Sequence, residues 1–199
     1  MSDKTDFFRN VLRKIKLKRI RNEIKTIISR ESIENLKTQK GDTQNSERLS
    51  INLIRTALDN LNYSYEEASS QQSKDFRNIC LIGLNIEVKK TDSFTVYFND
   101  TFPNSDIYYI IFFTGKKYKT KEDIPPKIIF CNGYDISKHD IYYLIDFKKE
   151  LEQKKDMWCR KTKNDKACKL KYMSVYLRPT YKTTIHHLME NKNYCLTVE

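Results

Sequence analysis

Glycine and proline are scarce in this chain, with only four of each among 199 residues. Long flexible linkers are therefore not expected, since such linkers are rich in these residues. No apolar run approaches the ~20 residues that a membrane-spanning helix needs. The opening residues, MSDKTDFFRN, also lack the apolar core of a signal peptide. We therefore expect a cytoplasmic protein with no membrane partner.

Cysteine is also limited, and its arrangement does not suggest a disulfide framework. The number is odd and the spacing is wide, which favours reduced thiols. No CxxC pair is present, so Cys159 and Cys168 with the later histidines give only a weak zinc pattern. The five cysteines are Cys80, Cys131, Cys159, Cys168 and Cys195.

Positive charge is what the chain has in excess. Its 37 lysines and arginines outnumber 26 acidic residues, which gives a formal net charge of +11. Ten of the basic residues lie within residues 1–30, against three acids. This balance favours a polyanionic partner, most simply nucleic acid. The alternative is an ordinary basic protein whose charges are merely solvated.

The pattern of the first half predicts helices. Apolar residues at helical spacing predict a basic helix over 6–30. A polar loop is expected over 36–48, and Ser50 is a candidate N-cap for the helix that follows. The length suits one domain, so we expect a single domain over 1–199.

From residue 79 onward the pattern changes to strands. The run at 107–114 is nearly all apolar, as expected for a central strand covered on both faces. Helices are predicted at 148–156 and 184–190. The fold class predicted is α/β, with a mixed central sheet flanked by helices. The other predicted strands are 79–89, 94–98, 127–131, 141–147 and 173–177.

One predicted strand contains a charged triplet, Glu87-Val88-Lys89. Side chains two apart share a face on a strand but not on a helix. Among the five acid-x-lysine triplets in the chain, only those at 87–89 and 146–148 lie on strand-like runs. We interpret 146–148 as a solvated strand end. For 87–89 the alternative to chemistry is a salt-bridged polar face of an edge strand.

Asp75 gives the triplet at 87–89 a partner. Eleven residues separate Asp75 from Glu87, enough for a turn and a returning strand. A hairpin through 78–83 would bring the two carboxylates together, and paired carboxylates suit Mg²⁺. Lys89 would then orient or deprotonate a water that attacks a phosphate.

The segment QQSKDFRNI…LNIEVKKTDS…FNDT resembles the PD-(D/E)XK nuclease core, and more narrowly the type II restriction endonucleases. Asp75, Glu87 and Lys89 match the family's Asp and Glu-x-Lys positions, while Lys74 stands where the motif has proline. The match covers about residues 70–115, and 173–181 is similar more weakly. The resemblance implies a restriction-endonuclease-like fold, Mg²⁺-dependent cleavage of double-stranded DNA and a homodimer.

Several further residues are candidates for completing such a site or binding DNA. Helix glutamates often complete sites of this family, which makes Glu47, Glu66 and Glu67 candidates beside the reading that they are surface acids. A DNA-contacting C-terminal part is expected over 148–199, including the basic stretch 158–172. The alternatives are a generic basic loop around Lys74 and Arg77, a turn at Asn99 and a plain charged loop over 158–172. The candidate DNA-binding residues are Lys74, Arg77, Asn99, Arg160 and Lys161.

These inferences combine into one functional hypothesis with open alternatives. The hypothesis is a site-specific double-stranded DNA endonuclease that needs Mg²⁺, with Asp75 and Glu87 as metal ligands and Lys89 assisting the water. A non-specific, repair or nicking nuclease of the same fold is one alternative. The other is a non-catalytic nucleic-acid-binding protein that depends on charge alone.

Overall fold

In the computed structural model of the chain, the residues described are 2–37, 43–68, 75–98, 102–116, 122–161, 174–175 and 177–198. Helices and strands alternate irregularly along them. The helices are α1 (Ser2–Ile27), α2 (Arg30–Glu34), α3 (Thr43–Asn60), α4 (Gly133–Ser137), α5 (Asp140–Lys161) and α6 (Thr183–Glu190). The strands are β1 (Glu66–Glu67), β2 (Phe76–Ile79), β3 (Leu84–Thr91), β4 (Val96–Tyr97), β5 (Ile107–Phe113), β6 (Lys127–Asn132), β7 (Thr180–Tyr181) and β8 (Cys195–Thr197).

Six of these strands form one mixed sheet in the order β1-β2-β3-β5-β6-β8. The β3–β5 pair is parallel and the other pairs are antiparallel. Strands β4 and β7 pair antiparallel as a separate two-stranded ribbon. The predicted mixed α/β architecture, with a mixed central sheet flanked by helices, is confirmed at this level.

Strand β5 separates two hydrophobic cores. Its residues Ile110 and Phe112 belong to a core that includes residues of α1 and α3. The alternate residues Ile111 and Phe113 belong to a second core with residues of β4, α4 and α6. Because side chains alternate along a strand, burial of both sets requires cover on both faces. The prediction of a doubly covered central strand is confirmed.

Helix α1 is divided along its length between a packed half and an exposed half. Near its C-terminal end, Ile20 and Ile24 are buried against α3 and the sheet. Near its N-terminal end, Phe8 and Leu12 are exposed although they are apolar. The predicted helix over 6–30 is therefore present but ends at Ile27, before the short helix α2.

The end of α1 follows from local capping. Ser29 takes up an extended conformation, and its hydroxyl accepts a hydrogen bond from the backbone N–H of Ser32 at 3.2 Å. This interaction satisfies a donor in the first turn of α2. It therefore starts a new helix where the sequence pattern predicted one continuous helix.

Helix α3 begins earlier than predicted. It starts at Thr43, inside the expected loop 36–48, of which 38–42 lie outside the described residues. Ser50 is therefore not an N-cap, and that prediction is wrong. It is 2% exposed within the helix, and its hydroxyl donates to the carbonyl of Glu47 at 2.8 Å. A serine can satisfy its hydroxyl on the preceding turn of a helix, so it does not have to cap one.

The strand predicted over 141–147 is wrong, because these residues lie in α5. The partly buried residues Ile141, Leu144 and Ile145 occur at helical spacing, whereas a short apolar run is compatible with either structure. The helices expected over 148–156 and 184–190 correspond to the later part of α5 and to α6.

Short or twisted strands account for the other differences. The strand predicted over 79–89 begins only at Leu84, because residues 80–83 form a turn. Residues 174, 175 and 177 are not in a strand, and the late strand is β7 instead. Strands β1 and β8, and β2 except for its last residue, were not predicted. Strands β1 and β8 have two or three residues and depend on pairing with a neighbour.

Two sequence-level expectations concern membranes and thiols. Within the described ranges, no helix combines the length and apolar character that crossing a bilayer would require. Among the described residues, Cys80, Cys131 and Cys195 are free cysteines, and the reduced state expected for the five thiols stays a prediction. Cys168 lies outside the described residues.

Gly133 makes the closest backbone approach at a glycine in the described chain. It begins α4 directly after β6, where Asn132 and Asp135 form a capping box. A Cβ built at Gly133 would overlap the backbone atoms of Asn104, so only glycine fits. The same Asn104 donates its N–H to the hydroxyl of Tyr109 at 3.0 Å. Gly133 therefore holds the segment before β5 against the second core.

We expect Gly133→Ala to destabilise the fold, because the obstructing atoms are backbone atoms that cannot turn aside. The loss should reach about 1–3 kcal/mol or more. Chemical denaturation checks it, with exposed Glu150→Ala on α5 as a control of unchanged stability. Equal stability of Gly133→Ala and the wild type would show that Asn104 moves away without cost.

Candidate active site

The charged triplet lies in the interior of the main sheet. Strand β3 has β2 on one side and β5 on the other, so the edge position in the alternative is wrong, although Glu87 and Lys89 do form a salt bridge. Glu87 is only 8% exposed. A buried carboxylate in a sheet interior is costly unless it is paired or binds a cation. The burial of Glu87 therefore needs an explanation other than an ordinary solvated face of a strand.

A bulged hairpin brings Asp75 to this point. Strands β2 and β3 pair antiparallel, with Phe76 opposite Ile86, and the register shifts before Ile79. Asn78, at the shift, has φ of 48°, a left-handed conformation that asparagine tolerates better than most residues. Its side-chain oxygen accepts from the N–H of Gly83 at 3.1 Å and so closes the turn. The predicted hairpin through 78–83 is confirmed.

Asp75 stands one residue before β2, where the pairing register sets it opposite Glu87. Its Oδ2 accepts a hydrogen bond from the backbone N–H of Val88 at 2.6 Å. Its carbonyl oxygen accepts from the N–H of Ala68 at 3.1 Å, which holds the backbone on the other side. The carboxylate is therefore fixed at the entrance to the hairpin, with one of its two oxygens engaged.

Lys89 completes the arrangement on the same face of β3. Its Nζ lies 2.5 Å from Oε1 of Glu87, and the two side chains are 23% and 11% exposed. The same Nζ lies 5.5 Å from the centroid of the Phe98 ring. An ammonium group can rest favourably over an aromatic face. Lys89 therefore lies between the Glu87 carboxylate and the Phe98 ring, and it remains accessible to solvent.

A tight turn after β3 positions the Phe98 ring beside Lys89. The hydroxyl of buried Thr91 donates to the carbonyl of Thr95 at 2.8 Å and accepts from the N–H of Ser93 at 3.1 Å. These bonds turn the chain back so that Phe98 packs edge-on against Tyr109, with ring centroids 5.5 Å apart. Sequence reasoning missed Phe98, although the alternation of apolar residues over 94–98 carried the signal.

The electrostatics of the site centre on Asp75. Burial raises the pKa of Asp75 to about 6, although the Val88 N–H bond opposes the shift. The charge of Glu87 raises the pKa further, and Lys89 lowers it. Two carboxylates and one ammonium group leave one uncompensated negative charge when all are ionised. Such a site favours an added cation or a proton.

Glu47 is the helix glutamate that acts on this site. Its charge contributes to raising the pKa of Asp75, so α3 brings it within electrostatic range. Glu67 is instead paired with Arg55, whose Nε lies 2.5 Å from Oε1 of Glu67. Glu66 is exposed on β1. The sequence could not separate these three, since their positions depend on how α3 packs on the sheet.

The DNA-binding candidates are not all brought together. Arg77 lies two residues after Asp75, and alternation directs its side chain to the face opposite the buried Phe76. Its Nε is buried and has no hydrogen-bond partner among the residues that the structure describes. Arg160 and Lys161 are exposed in the last turn of α5, a separate element. Lys74 and Asn99 lie outside the described residues.

The rival triplet at 146–148 is excluded as a strand site. Asp146 and Lys148 lie on helix α5, where residues two apart do not share a face. Asp146 pairs with Lys149 at 3.7 Å, and both side chains are more than half exposed. This is an ordinary surface ion pair of a helix.

The donor set at Asp75 and Glu87 fits a small hard cation in its chemistry. Each carboxylate has one oxygen engaged, by Val88 N–H and by Lys89 respectively. Mg²⁺ is commonly held by one or two protein carboxylates, with waters or phosphate oxygens completing its shell. In the described part of the chain, no group of three or more His, Cys, Asp or Glu side chains is arranged to hold a metal.

Comparisons of this chain with models of protein families, with curated proteins and with solved structures found no match.

The raised pKa of Asp75 predicts how the metal-free protein responds to pH. A carboxyl whose pKa is 3.8 when unfolded and about 6 when folded stabilises the fold below pH 3.8, and this contribution is lost as pH rises through 6. Asp75→Asn should therefore be more stable than the wild type at pH 7.5, by up to about 3 kcal/mol. At pH 4 the two should be nearly equal.

Urea denaturation in the presence of a chelator at both pH values measures this difference. Exposed Asp106→Asn is the matched control and should show no such divergence. If Asp75→Asn lost stability equally at both pH values, the carboxylate would be a structural hydrogen-bond acceptor and not a strained, charge-bearing group.

Proposed function

We propose that this protein is a Mg²⁺-dependent DNA endonuclease of the restriction-endonuclease-like fold. The observation that carries the proposal is the convergence of Asp75, Glu87 and Lys89 on adjacent strands inside a mixed sheet. The resemblance of these three positions to the PD-(D/E)XK motif supports it. Two carboxylates with a lysine beside them are also the groups that hydrolysis of a phosphodiester requires.

Each group has a role that follows from its surroundings. Asp75 and Glu87 would hold the cation through their carboxylate oxygens. When bound, Mg²⁺ supplies Lewis-acid activation of a phosphate oxygen and of water. Lys89, charged in its pair with Glu87, would orient the attacking water through a hydrogen bond, and its positive charge would stabilise the transition state. The products expected are 5′-phosphate and 3′-hydroxyl ends.

The remaining basic groups support DNA as the substrate. Arg77 is half-buried two residues from Asp75, and the accessible part of its guanidinium group would contact a phosphate oxygen. The net charge of +11 supplies general attraction to a polyanion. Site-specific cleavage of both strands, as in type II restriction enzymes, is the form of activity that we propose.

Lys89→Ala should abolish cleavage of a plasmid in Mg²⁺, with a loss of at least about 100-fold in rate, as for removal of a group that stabilises transition-state charge. Its DNA affinity in Ca²⁺ should stay near that of the wild type, because Lys89 acts on the water. Glu87→Gln should lose cleavage and also the metal dependence of binding. Gel analysis of digests together with fluorescence anisotropy measures both properties.

Lys148→Ala is the matched control, since it removes a lysine from the rival triplet on α5. It should cut like the wild type. Cleavage by Lys89→Ala at the wild-type rate would disprove the assignment of the site. A wild-type protein that retards DNA and never cuts it in Mg²⁺ would be a non-catalytic binding protein.

We also propose that the enzyme works as a homodimer. Cutting both strands of a symmetric site is most simply achieved by two copies related by a two-fold axis. The N-terminal half of α1 offers a surface for this, since Phe8 is 65% and Leu12 is 45% exposed. Together with Leu81 and Ile82 of the hairpin turn they line a shallow groove.

Changing Phe8 and Leu12 together to serine should weaken self-association roughly 100-fold, because two apolar anchors are lost. Multi-angle light scattering across a concentration series would show mass moving from twice 23.8 kDa toward a single chain. Phe147→Ser, at an exposed position on α5, is the control. A wild type that remains a single chain with and without DNA would contradict the dimer.

A further inference from the structure

The two-stranded ribbon of β4 and β7 lies directly beside the candidate active site. Its pairing sets Val96 opposite Tyr181 and Tyr97 opposite Thr180. Val96 and Tyr181 belong to the second hydrophobic core, so one face of the ribbon is buried. The backbone N–H of Phe98 donates to the carbonyl of Pro179 at 3.1 Å and extends the pairing by one residue.

The other face of the ribbon is polar and exposed. Residues directly opposite each other in an antiparallel pair point to the same side, so Tyr97 and Thr180 share this face. Both are exposed, as is Arg178, two residues before Thr180. The guanidinium carbon of Arg178 lies 4.6 Å from the centroid of the Tyr97 ring. Tyr97 therefore holds the arginine head group against its ring face.

Consecutive residues connect the exposed face of the ribbon to the candidate active site. Phe98 follows Tyr97, and its ring lies 5.5 Å from the Nζ of Lys89. Alternation sends Phe98 toward the site and Tyr97 away from the core. A duplex whose backbone lies at Lys89 and extends past Phe98 would come to the ribbon, whose strand β4 ends one residue before Phe98. A two-stranded ribbon has the dimensions to enter the major groove of DNA.

We propose that Arg178, held by Tyr97, reads a guanine base in the major groove of the double-stranded DNA substrate. This inference rests on the proposed function and adds the residue that selects the sequence. An arginine presents two parallel donors, which match O6 and N7 of guanine. Stacking on a tyrosine leaves those donors at the edge available and limits the rotamers lost on binding. Lysine, a point charge, would not replace it.

Selection of bound duplexes from a random-sequence pool in Ca²⁺, followed by sequencing, tests the proposal without requiring cleavage. The wild type should enrich a motif that contains guanine. Arg178→Ala should lose preference at one guanine position by roughly 10- to 100-fold, while the other positions remain. Arg178→Lys should behave like Arg178→Ala, Tyr97→Phe should keep the preference, and Tyr97→Leu should weaken it.

Arg19→Ala is the matched control, because it removes one exposed positive charge from α1 and should leave the motif unchanged. An unchanged motif in Arg178→Ala would overturn the inference. Absence of any motif with the wild type would overturn it together with the proposed site specificity. A wild type that enriches a guanine-containing motif lost in Arg178→Ala, yet never cuts in Mg²⁺, would overturn the proposed nuclease activity and leave the role of Arg178 supported.

Discussion

Strand β5 has no face that it can expose to water, and the layers of the protein follow from that constraint. Because Ile110 and Phe112 point one way while Ile111 and Phe113 point the other, cover is required on both sides. Helices α1 and α3 supply one layer, and α4, α6 and the β4–β7 ribbon supply the other. Strand β3, parallel to β5, is drawn into the same interior. The charges on β3 are therefore enclosed by layers that form because β5 requires cover on both faces.

The triplet on β3 places charged side chains in an interior that is otherwise apolar. Glu87 and Lys89 form a salt bridge, and Asp75 accepts a hydrogen bond from a backbone N–H of β3. One negative charge is still uncompensated, and burial keeps the pKa of Asp75 at about 6. Active sites commonly contain such uncompensated buried charges, because the groups that perform the chemistry are costly to bury.

Sequence reasoning succeeded where one physical cause dominates. The apolar run at 107–114 predicts only a central strand, and the eleven residues between Asp75 and Glu87 leave room for the hairpin through 78–83. It failed at 141–147, because a short apolar run does not distinguish strand from helix. The proximity of Glu47 to Asp75 and the pairing of Tyr97 with Arg178 depend on tertiary packing. Spacing along the chain contains no signal for either.

The bulge at Asn78 has a consequence for how this site could change over time. Phe76 and Ile79 are an odd number of positions apart yet both are buried, because the bulge adds a residue to β2 alone. Adding or deleting one residue in the hairpin would slip the pairing and turn one carboxylate to the wrong face. The interval between Asp75 and Glu87 is therefore constrained by geometry, and divergence in length should collect elsewhere, beyond the ends of β3.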